Sequence, residues 1–401
     1  MEHRERWNNR LMAIAIGYAL ARSALTLLDW HGIYLNGGPP CSDCRADFPT
    51  FYAAAKLVWQ SPHALYDYAQ QLIIQRTIDD RNGGSVLPFA YPPFTAVALM
   101  PLGWLSFRGA YVAMTLINLL LLFLTLRLLM RKLGLGKEQS TWLWLSAVCN
   151  YGIHWVLLQG QTSLIVLALL TAFMFAARER DDRRAGFWAG LVFFKPQMLA
   201  MPFIALFFQR HWRALVIAAT VVVGLAGFSV ALVGNTGIDQ YLRLLRYYAA
   251  TESGFGSDPK SMHNLRALAQ YFVPFAYASY LWVALVVPVA LATMWLNSQA
   301  RENEISRSFV WIGNFLAAML LTPHLYSHDL AFMLVPIALL LHLCGMQVPA
   351  LLGLCLILHG FLPLVPLVSG YLIPPVLPLI FLAGFYYCLR SVQRANLSAS
   401  T

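Results

Sequence analysis

Charged residues are scarce in this sequence, at 11% of its 401 residues. A soluble domain carries about 25%. Hydrophobic residues make up 59%, and the mean hydropathy is +0.60. A chain this apolar cannot cover its surface with polar groups, so the composition excludes a water-soluble globular protein. We predict an all-α, polytopic integral membrane protein.

Nucleotide-binding motifs are also missing. The sequence contains no Walker loop, no GxGxxG and no DxD pair on the predicted cytoplasmic side. ATP and nucleotide-sugar chemistry therefore have no residues to support them. Internal repeats and low-complexity segments are absent as well, which argues against a fold built from repeated halves.

The formal charge of +10 does not indicate a nucleic-acid partner, because Lys and Arg occur in short clusters between apolar runs. This is the positive-inside pattern, in which each cluster marks a cytoplasmic end. The clusters are "HRERWNNR", "RLLMRKLGLGK", "ARERDDRR", "QRHWR", "NSQARENEISR" and "RSVQR".

The clusters and the apolar runs predict about twelve crossings with both ends inside, at about 20 apolar residues per crossing. The first run, Leu11–Leu28, is predicted to be retained, because no small-residue cleavage site precedes Asp29. We expect one domain over residues 1–401, with outer segments at 29–90 and 234–276. The runs 142–158 and 214–233 are each read as one crossing.

Two apolar stretches depart from simple crossings. "GFWAGLVFFKPQMLAMPFIALFFQRHWR" is basic at both ends, which predicts two short helices broken at Pro196. "YPPFTAVALMPLGWLSF" is predicted to be re-entrant or interfacial, because a crossing there would place the next basic cluster outside.

The first outer segment has helical periodicity. One apolar stripe comprises Phe48, Phe51, Tyr52, Ala55 and Trp59, and a second begins at Tyr68. We predict two amphipathic helices that lie on the outer leaflet.

Ionisable and amide side chains collect at the predicted outer ends of the spans. Such groups are costly within a membrane and are functional candidates. An acid, imidazoles and cations among aromatic rings indicate a lipid-phosphate substrate handled at the outer leaflet. The candidates are Asp47, Gln159, Gln161, Lys195, His263, Arg266, His324, His328 and Asp329.

Several candidates have a structural alternative. Asp47 is also suited to capping the helix that begins near Pro49, and Lys195 to reaching the headgroups. Either histidine alone would be an ordinary interfacial residue, but two in one turn with Asp329 favour a site. Structural roles are expected for Tyr66, Asp67, His342 and His359.

Two of the six cysteines, Cys41 and Cys44, lie in the first outer segment, where a local disulfide is plausible. A zinc site would need two more ligands nearby and is not expected. Packing roles are expected for Cys149, Cys344, Cys355 and Cys388.

The motifs "ADFPTFYAAAKLVWQSPHALYD", "FAYPPFTAVALMPLGWLS", "QGQ", "FFKPQMLAMP" and "TPHLYSHDL" resemble glycosyltransferase family 87. The resemblance implies a GT-C-like fold and, in one branch, transfer of mannose from a polyprenyl phosphate with inversion. It places the catalytic acid at Asp47. That branch has paired histidines late in the chain; here His328 matches the first and Asp329 replaces the second.

The residues support the same chemistry. An acceptor hydroxyl needs a base, and Asp47 is the candidate. Lys195, His328 and Arg266 are candidates for stabilising the leaving phosphate. The predicted site thus has Asp47 and His328 as catalytic residues, and the substrate-binding residues Tyr52, Tyr91, Gln159, Gln161, Lys195, Arg266, His324 and Asp329.

We therefore predict an inverting hexosyltransferase of the plasma (inner) membrane whose active site faces outside. Its partners are a polyprenyl-phosphate sugar, with mannose implied by the resemblance, and a glycolipid or glycan acceptor. No metal or other cofactor is expected. The alternative is a transporter or flippase of a polyprenyl-linked substrate, but that class favours repeats and charges near mid-membrane.

Overall fold

The structure, a computed structural model, describes residues 2–34, 47–78, 87–251, 262–300, 303–344 and 373–398. Within these ranges every regular element is a helix, as predicted. The α-helices are α1 Glu2–Tyr34, α2 Phe48–Gln60, α3 Tyr68–Ile78, α4 Pro93–Leu99, α5 Phe107–Lys132, α6 Lys137–Cys149, α7 Tyr151–Gln159, α8 Ser163–Arg178, α9 Asp182–Leu191, α10 Ala200–Phe208, α11 Trp212–Ala250, α12 Leu265–Phe272, α13 Phe275–Ser298, α14 Glu304–Leu321, α15 Leu334–Cys344 and α16 Ile373–Ser398.

Among the described residues, five helices are long and apolar enough to cross a membrane: Met12–Gly32 within α1, all of α5, α11 and α13, and Val376–Asn396 within α16. The protein is therefore a multi-pass membrane protein. The other apolar helices are shorter, and the expected total of about twelve crossings stays a prediction.

The predicted break at Pro196 is confirmed. Helix α9 ends at Leu191, and two short 3-10 turns, Val192–Phe194 and Pro196–Met198, separate it from α10. Lys195 lies between the two turns with an extended backbone (φ −128°, ψ 84°). The proline has no N–H to continue the helix, so the chain turns there and presents Lys195 to the protein interior.

The stretch from Pro93 to Trp104 also stops short of a crossing. It forms α4 and a 3-10 helix, Met100–Trp104. At 1.5–2.0 Å per residue these reach about 20 Å, less than the hydrocarbon thickness of about 30 Å. This length agrees with the re-entrant or interfacial prediction.

The run 142–158, which is predicted to make one crossing, is not one continuous helix. It divides into α6 and α7 at Asn150, whose backbone is extended (ψ 116°) and whose Oδ1 accepts the Ile153 N–H at 3.2 Å. Asparagine is among the residues most favoured at the N-cap, so a new helix begins there.

Helix α11 continues beyond the predicted span end at residue 233. Gly234 has φ 69° and ψ 177°, a conformation that residues with a Cβ rarely adopt, and the helix bends there before it continues to Ala250. The predicted outer segment 234–276 therefore contains the distal half of α11 and all of α12.

The prediction that α2 rests its aromatic stripe on lipid is wrong. Phe48, Phe51 and Tyr52 are 0%, 1% and 4% exposed, and they pack in a second hydrophobic core with Phe89 and Tyr111. Aromatic residues from two other segments cover this stripe: Phe89 and Tyr91 pack on Phe51, and Phe107 and Tyr111 pack on Phe48. Trp59 is the exposed residue of the stripe, and its ring packs edge-on against Trp104.

Two predicted features of the cysteines and histidines fall outside the described residues: the Cys41–Cys44 disulfide, and the packing of Cys355 and His359. Cys149 and Cys388 are buried free thiols, as predicted. His342 lies 3.3 Å from Glu304 at the opposite end of α14 from the predicted site.

Helix α7 packs against the 3-10 helix Ser327–Met333, and Gly152 makes this contact possible. A Cβ at Gly152 would overlap Ala331 N and lie 2.8 Å from Leu330 C and from Ser327 O. All three atoms belong to the backbone, so they cannot move aside independently.

We expect Gly152→Ala to lower the free energy of unfolding by about 1–3 kcal/mol through overpacking. Gly224→Ala in α11 is the matched control, because a Cβ there meets nothing within 4 Å. Thermal unfolding in detergent would compare the two variants. Equal melting temperatures would contradict the close approach of α7 to this 3-10 helix.

Candidate active site

Asp47 lies at the N-cap position of α2, but its carboxylate does not cap that helix. Instead, Asp47 Oδ2 accepts a hydrogen bond from Gln161 Nε2 in the turn between α7 and α8. Pro49, in the first turn of α2, has no N–H that needs a cap. The acid is therefore directed across the protein, and the capping alternative does not describe its side chain.

The "QGQ" motif forms this turn. Gly160 ends α7 in the left-handed conformation (φ 60°, ψ 37°), and a Cβ there would lie 2.8 Å from Phe48 Cβ. Gln161 is 5% exposed, and its carbonyl oxygen accepts from Asn118 Nδ2 at 3.0 Å. On the other side of the glycine, Gln159 Oε1 lies 3.1 Å from His328 Nδ1.

Lys195 and Asp329 form a buried ion pair. Lys195 is 3% exposed and Asp329 is 1% exposed. Ser163 Oγ donates to Asp329 Oδ1 at 2.7 Å, and His328 Nε2 lies 3.6 Å from Asp329 Oδ2. The snorkelling alternative for Lys195 is wrong, because its ammonium group points inward to a carboxylate.

Asp47 lies close enough to this pair to sense both charges. Burial raises the pKa of Asp47 to about 6, and the nearby Asp329 charge acts in the same direction. The Gln161 hydrogen bond and the Lys195 charge lower the pKa and partly offset this rise. An aspartate with this pKa is ionised at neutral pH and remains basic enough to accept a proton.

A second group of side chains, which we call the arginine cluster, consists of Tyr248, Arg266, His324 and Tyr326. Arg266 is 8% exposed, and its Nη2 is 3.5 Å from Tyr248 O. The rings of Tyr248 and His324 meet edge-on at 6.4 Å. Burial and the Arg266 and Lys195 charges lower the pKa of His324 to about 4, so its imidazole is neutral at pH 7.

Tyr91 joins the site, whereas Tyr52 does not. The Tyr91 hydroxyl accepts from Thr162 Oγ1 at 3.2 Å, and its ring packs edge-on against Phe194 beside the Lys195 turn. The Tyr52 hydroxyl donates to Leu105 O at 2.9 Å. The predicted place of Tyr52 in the substrate groove is corrected, because its ring and hydroxyl are both used within the second core.

The structure brings the remaining predicted residues together from distant parts of the chain. Asp47, Gln159, Gln161, Lys195, His328 and Asp329 form one connected group, and Arg266 and His324 belong to the adjoining arginine cluster. His263 lies beside them, with its Nε2 3.1 Å from Ser327 Oγ. Tyr66 has a structural role, because its hydroxyl donates to Tyr91 O at 2.5 Å.

Five residues of the site were not predicted from the sequence, among them Tyr326, which lies between His324 and His328 in the chain. Ser163 and Thr162 follow directly on "QGQ" as polar residues before an apolar run, which was an available signal. Asn118 lies within the long span α5, where a buried amide was a second signal. Tyr248 gave no signal, because the segment around it read as an ordinary outer loop.

The family of this chain follows from its comparison with known proteins. The model of glycosyltransferase family 87 matches residues 89–323, more than half of the chain. The chain belongs to glycosyltransferase family 87. The resemblance seen in the sequence motifs is therefore confirmed, and the protein is a membrane glycosyltransferase. No curated protein and no solved structure matches it.

The family match includes Tyr91, the "QGQ" turn, Lys195 and Arg266, but Asp47 and Asp329 lie beyond its two ends. In the described part of the chain, no three His, Cys, Asp or Glu side chains are grouped to hold a metal ion. The expectation that this glycosyltransferase needs no metal stays a prediction.

The buried Lys195–Asp329 pair leads to a prediction about stability. Lys195→Met leaves Asp329 buried without its partner, which should lower the free energy of unfolding by about 3–5 kcal/mol. The double variant Lys195→Met/Asp329→Leu buries no charge and should recover most of that loss. Thermal unfolding in detergent measures both. A double variant no more stable than Lys195→Met would contradict the dominance of this ion pair.

Proposed function

We propose that this family 87 enzyme is an inverting hexosyltransferase that uses a polyprenyl-phosphate sugar, with mannose as the sugar, at the outer face of the plasma membrane. The acceptor is a glycolipid or another glycan. The observation that supports this proposal most directly is the Asp47 carboxylate, held by Gln161 beside the Lys195–Asp329 pair and next to the arginine cluster.

The proposed reaction begins at Asp47. Its Oδ2 is occupied by Gln161, which leaves Oδ1 for the acceptor hydroxyl. As the acceptor oxygen attacks the anomeric carbon, Oδ1 takes the hydroxyl proton, and the bond from that carbon to the phosphate oxygen breaks on the opposite face. The anomeric configuration is inverted, and the phosphate leaves on the lipid. Proton transfer of this kind contributes roughly 10²–10⁴ in rate.

The leaving phosphate needs positive charge, and the arginine cluster is the better source. Lys195 is already neutralised by Asp329, whereas no carboxylate among the described residues pairs with Arg266. We assign the phosphate to Arg266, with the neutral imidazole of His324 as a hydrogen-bond donor beside it. His328 is the other candidate that the sequence offered, but its Nδ1–H donates to Gln159 Oε1.

The outward orientation is supported by helix α8. Its first residue, Ser163, contacts Asp329 in the site, and its last residue, Arg178, pairs with Glu304. The helix has 16 residues, so these ends are about 24 Å apart. Because the "ARERDDRR" cluster marks a cytoplasmic end, the site lies toward the other face.

The donor would arrive from the lipid. The exposed Trp59–Trp104 pair, with ring centroids 5.9 Å apart, is typical of residues at a membrane–water interface. Trp59 is near the end of α2, the helix that Asp47 precedes. We place the acid near the headgroup level, where a sugar carried on a lipid phosphate is found.

The direct test uses the purified full chain in lipid nanodiscs with polyprenyl-phosphate mannose and a panel of glycolipid and glycan acceptors, with products read by mass spectrometry. Asp47→Asn should reduce transfer by at least ~10²-fold, because the amide cannot accept the proton. Asp67→Asn is the matched control, because Asp67 Oδ1 accepts the backbone N–H groups of Ala69 at 2.9 Å and Gln70 at 3.3 Å, and an amide oxygen can do the same.

Full activity of folded Asp47→Asn would overturn the proposal. Transfer from a nucleotide sugar but not from the polyprenyl phosphate would overturn the choice of donor. Movement of labelled lipid between leaflets without a new glycosidic bond would favour the flippase alternative.

The pH dependence gives a further prediction. Below its pKa of about 6, Asp47 is a neutral acid and cannot take the acceptor proton. We expect kcat/KM to rise with pH through a midpoint near 6 and to level off above it. Initial rates measured from about pH 4 to about pH 8 test this limb. A flat profile across the midpoint would contradict Asp47 as the base.

A further inference from the structure

We propose that the Gln159–Gly160–Gln161 turn is a positioning device that holds Asp47 with one glutamine and His328 with the other. This inference rests on the proposed function of Asp47. It changes the role of both glutamines from substrate contact, as the sequence indicated, to control of the groups that act on the substrate.

Gln161 has its polar atoms engaged within the protein. Its Nε2 donates to Asp47 Oδ2, and its Oε1 accepts the Thr162 N–H at 3.3 Å. The side chain is 5% exposed. Because the Thr162 contact fixes which end of the amide is the acceptor, the –NH₂ group is turned toward Asp47. The carboxylate is thereby held in one rotamer, with Oδ1 as its remaining acceptor.

Gln159 makes the corresponding hydrogen bond to His328. Its Oε1 accepts from His328 Nδ1, and the other ring nitrogen, Nε2, lies 3.6 Å from Asp329 Oδ2. The hydrogen bond at Nδ1 limits rotation of the ring. His328 belongs to the 3-10 helix Ser327–Met333, so this contact also ties that segment to the end of α7.

The backbone of the turn is itself anchored. Gly160 supplies the left-handed conformation that sends the two flanking glutamine side chains to different partners. Asn118 Nδ2 donates to Gln161 O at 3.0 Å, and the Tyr111 hydroxyl donates to Leu157 O and lies 3.2 Å from Leu158 O. Both anchors come from α5, a candidate membrane span, so the turn is fixed to a rigid helix.

Other groups also act on Asp47 and must be considered in any pH experiment. Lys195 and Asp329 influence its ionisation, and Tyr91 and Tyr248 lie near enough to sense its charge. None of these four groups is altered when Gln161 is replaced. A change in the acid limb on replacing Gln161 would therefore report on the Gln161–Asp47 hydrogen bond.

The test compares pH profiles of the wild-type enzyme and four variants with polyprenyl-phosphate mannose as donor. Gln161→Met keeps the length of the side chain but cannot donate, so the acid limb should move up by about one pH unit and kcat should fall. Gln161→Glu places a second carboxylate beside Asp47 and should move the limb further, by about two units. The donor KM should change less than about 2-fold in both, because neither variant removes a substrate contact.

Gln159→Met provides an internal comparison. It should lower kcat without moving the acid limb, because it releases His328 and leaves the Asp47 bond intact. Gln209→Met is the matched control, since Gln209 bonds only Asn297 Oδ1 at 2.8 Å, away from the site. It should retain the wild-type profile.

The outcomes separate this inference from the proposed function. If Asp47→Asn is inactive but Gln161→Met and Gln161→Glu keep the acid limb unchanged, or raise only the donor KM, the positioning role is wrong while the proposed function stands. If folded Asp47→Asn is active, both are wrong. If Gln161→Met does not fold, Gln161→Glu alone decides, through the same shift of the limb.

Discussion

The buried ion pair between Lys195 and Asp329 is the interaction on which the site depends. Taking two charges out of water is expensive, and their attraction offsets that cost only when the geometry is good and further hydrogen bonds are present. Ser163 provides one such bond, at 2.7 Å from Asp329. The pair joins the break after α9 to the 3-10 helix Ser327–Met333 and to the start of α8, so three segments meet at one carboxylate.

Those segments are the irregular parts of an otherwise helical protein. In a membrane, non-helical backbone is tolerated where it is buried in protein or lines a cavity. Pro196, Gly160 and the 3-10 helix Ser327–Met333 create such backbone at three separate places. A polar side chain lies at each of these three places, and the three side chains point to a common region. The cost of interrupting helices is thus concentrated where polar groups are needed for chemistry.

The pairing also explains a departure from the sequence resemblance. The mannosyltransferase branch is expected to have paired histidines where this chain has His328 and Asp329. Here Asp329 neutralises Lys195, whereas no carboxylate among the described residues pairs with Arg266 in the arginine cluster. In the proposed mechanism the base, the internal ion pair and the cation therefore occupy separate regions, so the ion pair does not neutralise the groups that act on the substrate.

The amino-acid sequence by itself determined the class of protein, because composition and the distribution of Lys and Arg report directly on the solvent. It also determined the break at Pro196, which is a local property of a residue without an N–H. The short motifs indicated the family, and one of these motifs contains Asp47. Each of these features depends on residues that are close together in the sequence.

Only the tertiary structure decided where the side chains go. The aromatic stripe of α2 is compatible with either lipid or protein, and it faces protein because Phe89 and Tyr111 arrive from elsewhere in the chain. Periodicity cannot show that Tyr52 bonds Leu105, that Lys195 finds Asp329 134 residues away, or that the two glutamines hold other side chains. Pairing between distant residues depends on the packing of whole helices, so a sequence can nominate polar groups but their partners are set by the fold.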